Sequence, residues 1–203
     1  MKSILVVIPN LRGGGAERVH IDLANEWVKL GYTVSFCLTQ EGGCLKDQLH
    51  ESIKIIELKC MRFREAFWSL RRTIKQEKAD IVLAAMWPLT CLASVSWLFA
   101  GRLGKLFLVE HCAFTKQFAK HLNRSLGFIG LTKTLTYHLA TCFINVSKGQ
   151  EKSLKKVMWL PKNKWAVIYN GIKCCFPKYS ASQINMGEHV NLDQSKKHII
   201  AAG

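Results

Sequence analysis

The 203-residue chain has no C-x-x-C pair among its eight cysteines. Without ligands paired at that spacing, neither a zinc site nor a thioredoxin-like redox site is indicated, and no metal is expected. The cysteines (Cys37, Cys44, Cys60, Cys91, Cys112, Cys142, Cys174, Cys175) mostly sit among apolar neighbours, where a free thiol acts as a small hydrophobe. No secretory signal precedes the first aliphatic run, which stops at Pro9, so a reducing, cytoplasmic setting is expected. Acidic residues nearly vanish between positions 101 and 164, with 2 against 12 Lys/Arg, whereas residues 1–100 carry 10 against 13. Most of the formal net charge of +15 therefore lies in one stretch, which points to an anionic partner: nucleic acid, acidic lipid headgroups or substrate phosphates. No recognised nucleic-acid module accompanies the charge, so nucleic acid is not the expected partner. Charge of either sign is missing from Ile81 to Gly101, and 21 such positions would suffice to span a bilayer. Pro88 divides them into a strand-like and a helix-like half, which two buried elements of an α/β core explain better.

Short aliphatic runs recur with helical stretches between them: SILVVI (3–8), TVSFCL (33–38), IKIIEL (53–58), DIVLAA (80–85), KLFLVE (105–110), CFINVS (142–147) and WAVIY (165–169). Runs with so little alternation are buried on both faces, as in parallel strands covered by helices. Between the first two, Val19, Leu23, Val28 and Leu30 follow a helical stripe and Gly31 supplies the stop. The expected fold is α/β, a doubly wound, Rossmann-like parallel sheet of about seven strands with right-handed crossovers. The stretch 174–197 loses aliphatic periodicity and reads as a linker.

Arg12–Gly15 follow the first strand and open the first helix, at the carboxyl edge of the sheet where ligands bind in such folds. Bare backbone there admits a ligand, and the free N–H groups of a helix start favour an anion such as diphosphate, although a tight turn without a ligand also explains three glycines. A Walker A loop requires Lys-Ser/Thr after the glycines, and none follows. A dinucleotide fingerprint requires a third glycine where Arg18 stands. Beyond the second strand, Glu41 is the one acid in reach of a ribose.

A third pattern fits. PNLRGGGAERVHIDLANEWVKLGYTVSF resembles the N-terminal signature of family 4 glycosyltransferases of the GT-B fold. ADIVLAAMW (79–87), LVEHCAF (108–114), CFINVSKGQEKSL (142–154) and VIYNGI (167–172) resemble further segments of that family in the right order, and HIIAAG (198–203) is similar to the strand that opens its C-terminal domain. The resemblance implies one half of a GT-B architecture: an acceptor-side domain over 1–175, a linker over 176–197, and the start of a truncated C-terminal domain at 198–203. It implies transfer of a sugar, with retention, from a nucleotide diphosphate sugar to a glycan or lipid-linked acceptor in cell-surface polysaccharide synthesis, with no cofactor beyond the donor.

By the same resemblance Gly13, Gly14, Gly15 and Arg18 would lie against the donor diphosphate, where charge grows as the leaving group departs. Exposed arginines such as Arg12 and Arg18 are equally explained as solvated. His111 would be the catalytic-centre residue, touching the transferred sugar or positioning the acceptor, or else a strand-end histidine satisfied locally. Glu17, Glu110 and Asn170 would line the cleft; the charge of Glu17 at a helix start, and a plain Asn-Gly turn, are simpler accounts of two of them. Lys116, Lys120, Arg124 and Lys133, interleaved with apolar residues in 114–139, suit a surface lying on the anionic inner face of a membrane, or a solvated helix face. The donor-side half of the site would come from a missing C-terminal domain or a partner chain. A non-catalytic module that holds acceptor or membrane therefore stands beside the transferase as an alternative.

Overall fold

The computed structural model describes residues 1–60, 63–111 and 126–171. The seven aliphatic runs become seven strands: β1 (Ser3–Ile8), β2 (Thr33–Leu38), β3 (Lys54–Glu57), β4 (Ile81–Ala85), β5 (Lys105–Glu110), β6 (Cys142–Asn145) and β7 (Trp165–Val167). They form one sheet in the order β3-β2-β1-β4-β5-β6-β7, and every pairing is parallel. The chain winds outward from β1 in one direction and from β4 in the other, so the direction of winding reverses between those two strands.

The side chains of β1 divide between two cores. Leu5 and Val7 face a layer made by α2 (Phe63–Glu77), α3 (Leu89–Phe99), α4 (Leu126–Tyr137) and α5 (Lys148–Leu154), whereas Ile4, Val6 and Ile8 face α1 (Gly15–Lys29). Both faces being covered is what unalternating aliphatic strands require. The charge-free stretch resolves as expected into β4 and α3, and α3 is buried nearly all round, from Leu89 to Trp97. No described helix is long and apolar enough to cross a membrane.

In α1 the inward stripe is His20, Ile21 and Ala24, with Trp27 and Val28 partly buried, whereas Leu23 and Leu30 are exposed. The expected stripe through Val19 and Leu23 is rotated by about one residue. Counting His20 as polar conceals the true register. Gly31 does end the helix, with φ +85° and its N–H donating to the Val28 carbonyl at 2.9 Å. Residues 1–170 make one compact unit. The expected linker (176–197) and the strand at 198–203 lie outside the described residues.

The helical layer leaves an apolar cavity of about 430 Å³ between Phe67 and Trp68 of α2, Cys91 and Leu92 of α3, and Thr132 and Thr136 of α4. Beside it stand exposed apolar side chains: Trp68, Phe99, and Phe128, Leu131 and Leu135 along one side of α4.

Candidate functional site

The winding reverses between β1 and β4, and in open α/β sheets the crevice at the carboxyl ends of such strands is where ligands sit. The loop from β1 to α1 lies there, held by its neighbour after β2. Gln40 N–H donates to the Pro9 carbonyl at 2.9 Å and Leu45 N–H to the Leu11 carbonyl at 3.1 Å. The Asn10 amide donates to Gln40 Oε1 at 2.9 Å, while its own oxygen accepts from Arg12 N–H at 3.1 Å. Gly43 makes this approach possible: at φ +139°, any Cβ there would run into the Leu11 backbone. Only the Gly42-Gly43 pair itself signals this in the sequence.

The three glycines have three different environments. Gly13 is in a backbone conformation that side chains disfavour, with φ +120°. Gly14 caps α1, and the Glu17 carboxylate folds back over the space a Cβ would fill. Gly15 has ordinary φ and nothing within 4 Å of a Cβ built on it, so the fold itself makes no demand for glycine there. All three are exposed. The first helical hydrogen bond at this end runs from Arg18 N–H to the Gly14 carbonyl (3.2 Å), so the preceding amides have no partner within the helix. Unpaired N–H groups and the positive end of the helix dipole make this the electropositive lip of the crevice.

Glu110, the last residue of β5, and His111, the residue after it, point to opposite faces, continuing the alternation of the strand. His111 turns toward α1 and meets His20, with ring centroids 5.0 Å apart and planes at 68°. Both His111 nitrogens are closed off from solvent without a hydrogen-bond partner among the described residues. Burial, and secondarily the neighbouring His20, lower the His111 pKa to about 4, so the ring is uncharged at neutral pH. His20, only 1% exposed, contacts the Ala16 carbonyl through Nδ1 at 2.8 Å and is likewise pushed down by burial. Nothing in the sequence singles it out, because a lone histidine inside an amphipathic helix carries no marker of what it faces.

Glu110, expected in the cleft, is instead interior, 1% exposed. Its Oε1 takes an ion pair from Lys133 and a hydrogen bond from the Tyr137 hydroxyl. Thr90 Oγ1 lies 3.4 Å from the same oxygen and 2.6 Å from the Tyr137 hydroxyl. Lys133, expected on a membrane-facing surface, is 0% exposed: a charge buried this far needs its counter-charge, and Glu110 supplies it. The other three basic residues of that expected surface, Lys116, Lys120 and Arg124, lie outside the described residues. Arg18 is exposed beside the loop. Asn170 is exposed beyond β7, four strands from β1 and hence about 19 Å across the sheet, so the structure does not bring it to the glycine loop. Among the described residues no group of three or more His, Cys, Asp or Glu could hold a metal ion.

The parallel α/β fold agrees with what the chain is similar to. The structure of HepE from Anabaena in complex with UDP-glucose matches with a TM-score of 0.66 at 16% identity, over 85% of this chain and 44% of that one. The lipopolysaccharide outer core galactosyltransferase WaaB matches at 0.61 and 15% identity, over 85% and 46%. A glycosyltransferase from Rickettsia africae matches at 0.60 and 23% identity, over 85% and 44%. At such identities the likeness shows the fold alone, and the chain spans somewhat under half the length of these proteins. No curated protein matches the chain in sequence. The sequence model of Glycosyltransferase Family 4, however, matches residues 13–174, from the first glycine of the loop to beyond the last strand, and the chain belongs to that family.

Proposed function

We propose that the chain is the acceptor-side half of a retaining glycosyltransferase that uses a nucleotide diphosphate sugar. The observation that carries this is Gly15, bare at the mouth of the crevice although the surrounding fold leaves room for a side chain. A diphosphate packed against the helix start would need that space, and the unpaired amides would stabilise charge on the departing group. HepE binds UDP-glucose, which makes a uridine diphosphate sugar the natural first probe. Arg18 adds positive charge at the lip, and Glu17 is the anion a phosphate would displace. His111, uncharged, meets a sugar hydroxyl as a neutral partner. The opposite lip of the site belongs to a second domain or a partner chain.

The acceptor we propose is a glycan or lipid-linked sugar reached at the inner face of a membrane in cell-surface polysaccharide synthesis. The exposed apolar row Phe128, Leu131 and Leu135, with Trp68 nearby, supports this. The guanidinium of Arg71 stands 5.8 Å from the Trp68 ring, the pairing of aromatic and basic groups that suits an anionic interface. The same face supports the second reading, a module that holds acceptor or membrane without turnover. Titration of UDP-glucose into the isotopically labelled chain separates them. Saturable shifts of the Gly13–Gly15 amides are expected for the transferase half, and unmoved loop amides at millimolar UDP-glucose and UDP would leave the accessory module.

A further inference from the structure

The pairing of His20 with His111 has no role in the fold's hydrophobic logic, since an aliphatic residue would fill the same space on α1 without a buried polar ring. His20 lies about one and a half turns inside the helix whose first residues form the glycine lip. Its Nδ1 is engaged with the Ala16 carbonyl, so Nδ1 carries the proton and Nε2 keeps a lone pair. That bond fixes the orientation of the His20 ring, and the ring in turn stands edge-on against His111. Glu17 is the carboxylate that acts on His20, while Glu110 is turned to the other face and committed to Lys133. Among the described ionisable groups His20 alone acts on His111. The two His111 nitrogens, unpaired and closed off, are hydrogen-bonding capacity held in reserve at the sheet edge.

We infer that His20 is a positioning residue: from α1, with its own ring fixed by the Ala16 carbonyl, it braces His111 edge-on and covers that side of the ring, so that His111 is held in one orientation for a ligand hydroxyl. This rests on the proposed placement of His111 at the transfer site. It also couples the two parts of that site mechanically, because the helix that presents the glycine amides carries the brace for the imidazole.

Nitrogen-15 NMR of the imidazoles in the full chain tests this without requiring turnover. In the wild type His111 should stay neutral, in one tautomer, down to about pH 4, with ring-to-ring proton contacts to His20. In His20→Ala, which uncovers that side of the ring, the His111 midpoint should rise by about one pH unit or more and its tautomers should mix. In His20→Phe, which keeps a ring in place, the wild-type pattern should return. A His111 that titrates near its ordinary value in the wild type overturns the inference whether or not either variant folds. So does an unchanged His111 in folded His20→Ala, or a His20→Phe variant that shifts as far as the alanine. If the brace is upheld but UDP-glucose and glucose leave His111 unmoved, the functional reading fails and the positioning role stands.

Discussion

Lys133 of α4 and Glu110 of β5 form an ion pair in which neither side chain reaches solvent, 23 residues apart in the chain. The same carboxylate oxygen receives the Tyr137 hydroxyl, and burial beside that carboxylate raises the Tyr137 pKa well above its usual value. Removing one partner strands a charge. Lys133→Met should cost about 3–5 kcal/mol in urea unfolding, and adding Glu110→Gln should restore more than half of the loss. A cost for Lys133→Met under about 1 kcal/mol would return Lys133 to the surface.

Gly15 separates folding from function. Gly15→Ala should leave the unfolding temperature unchanged or slightly raised, since alanine is the better helix residue and the space is open. It should weaken UDP-glucose binding by about tenfold, roughly 1.4 kcal/mol. The control is Gly43→Ala, which should destabilise by about 1–3 kcal/mol because its φ of +139° and the Leu11 backbone exclude a side chain. Equal effects of the two changes on binding would remove the reason to assign Gly15 a ligand.

The histidine pair makes stability pH-dependent on the acid side. Both rings have lowered pKa values in the folded state, His111 at about 4. Between about pH 6.5 and pH 4 the unfolded chain binds more protons, so stability is fully present above the unfolded value and declines as pH falls through that window. Thermal unfolding should show a Tm that drops over this range and is flat, as far as these groups contribute, above it. His111→Phe should make the acid-side slope shallower, and an unaltered slope would mean the ring titrates freely when folded.

For the membrane face, Leu131→Ser combined with Leu135→Ser changes two exposed side chains and should leave the fold intact. Wild-type chain should float with vesicles rich in phosphatidylglycerol in a salt-sensitive way, and the double variant should float several-fold less. Absence of wild-type flotation would remove the membrane from the proposal.

Strands and topology are legible because a strand buried on both faces must be aliphatic; the inner strands β1 and β4 keep that mark, whereas the edge strands β3 and β7 keep aliphatic runs although their side chains are exposed or only half-buried. The glycine loop is legible as the turn between β1 and α1, because glycines at a strand end mark a tight backbone turn, and Gly13 at φ +120° and Gly14 at the helix cap stand in that turn. The interior polar groups are not legible. Lys133 sits in a basic stretch and nothing local distinguishes it from solvated neighbours; only the tertiary placement of Glu110 makes its burial tolerable. His20 is hidden for the same reason, since its partner arrives from a position 91 residues further along. The offset of the α1 stripe follows from it: once His20 is counted with the interior, Ile21 and Ala24 fall into phase.

The opposed directions of Glu110 and His111 set a limit on how this strand can change length. Deleting or inserting one residue in β5 would exchange them, sending an imidazole into a core where Lys133 and Tyr137 wait for an anion and placing a carboxylate on the side of the sheet that α1 and its electropositive start cover. Both groups would lose their present partners at once. Substitution along β5 can be gradual, whereas a change of length by one residue abolishes the interior and the site together, and length variation in this domain belongs to the loops.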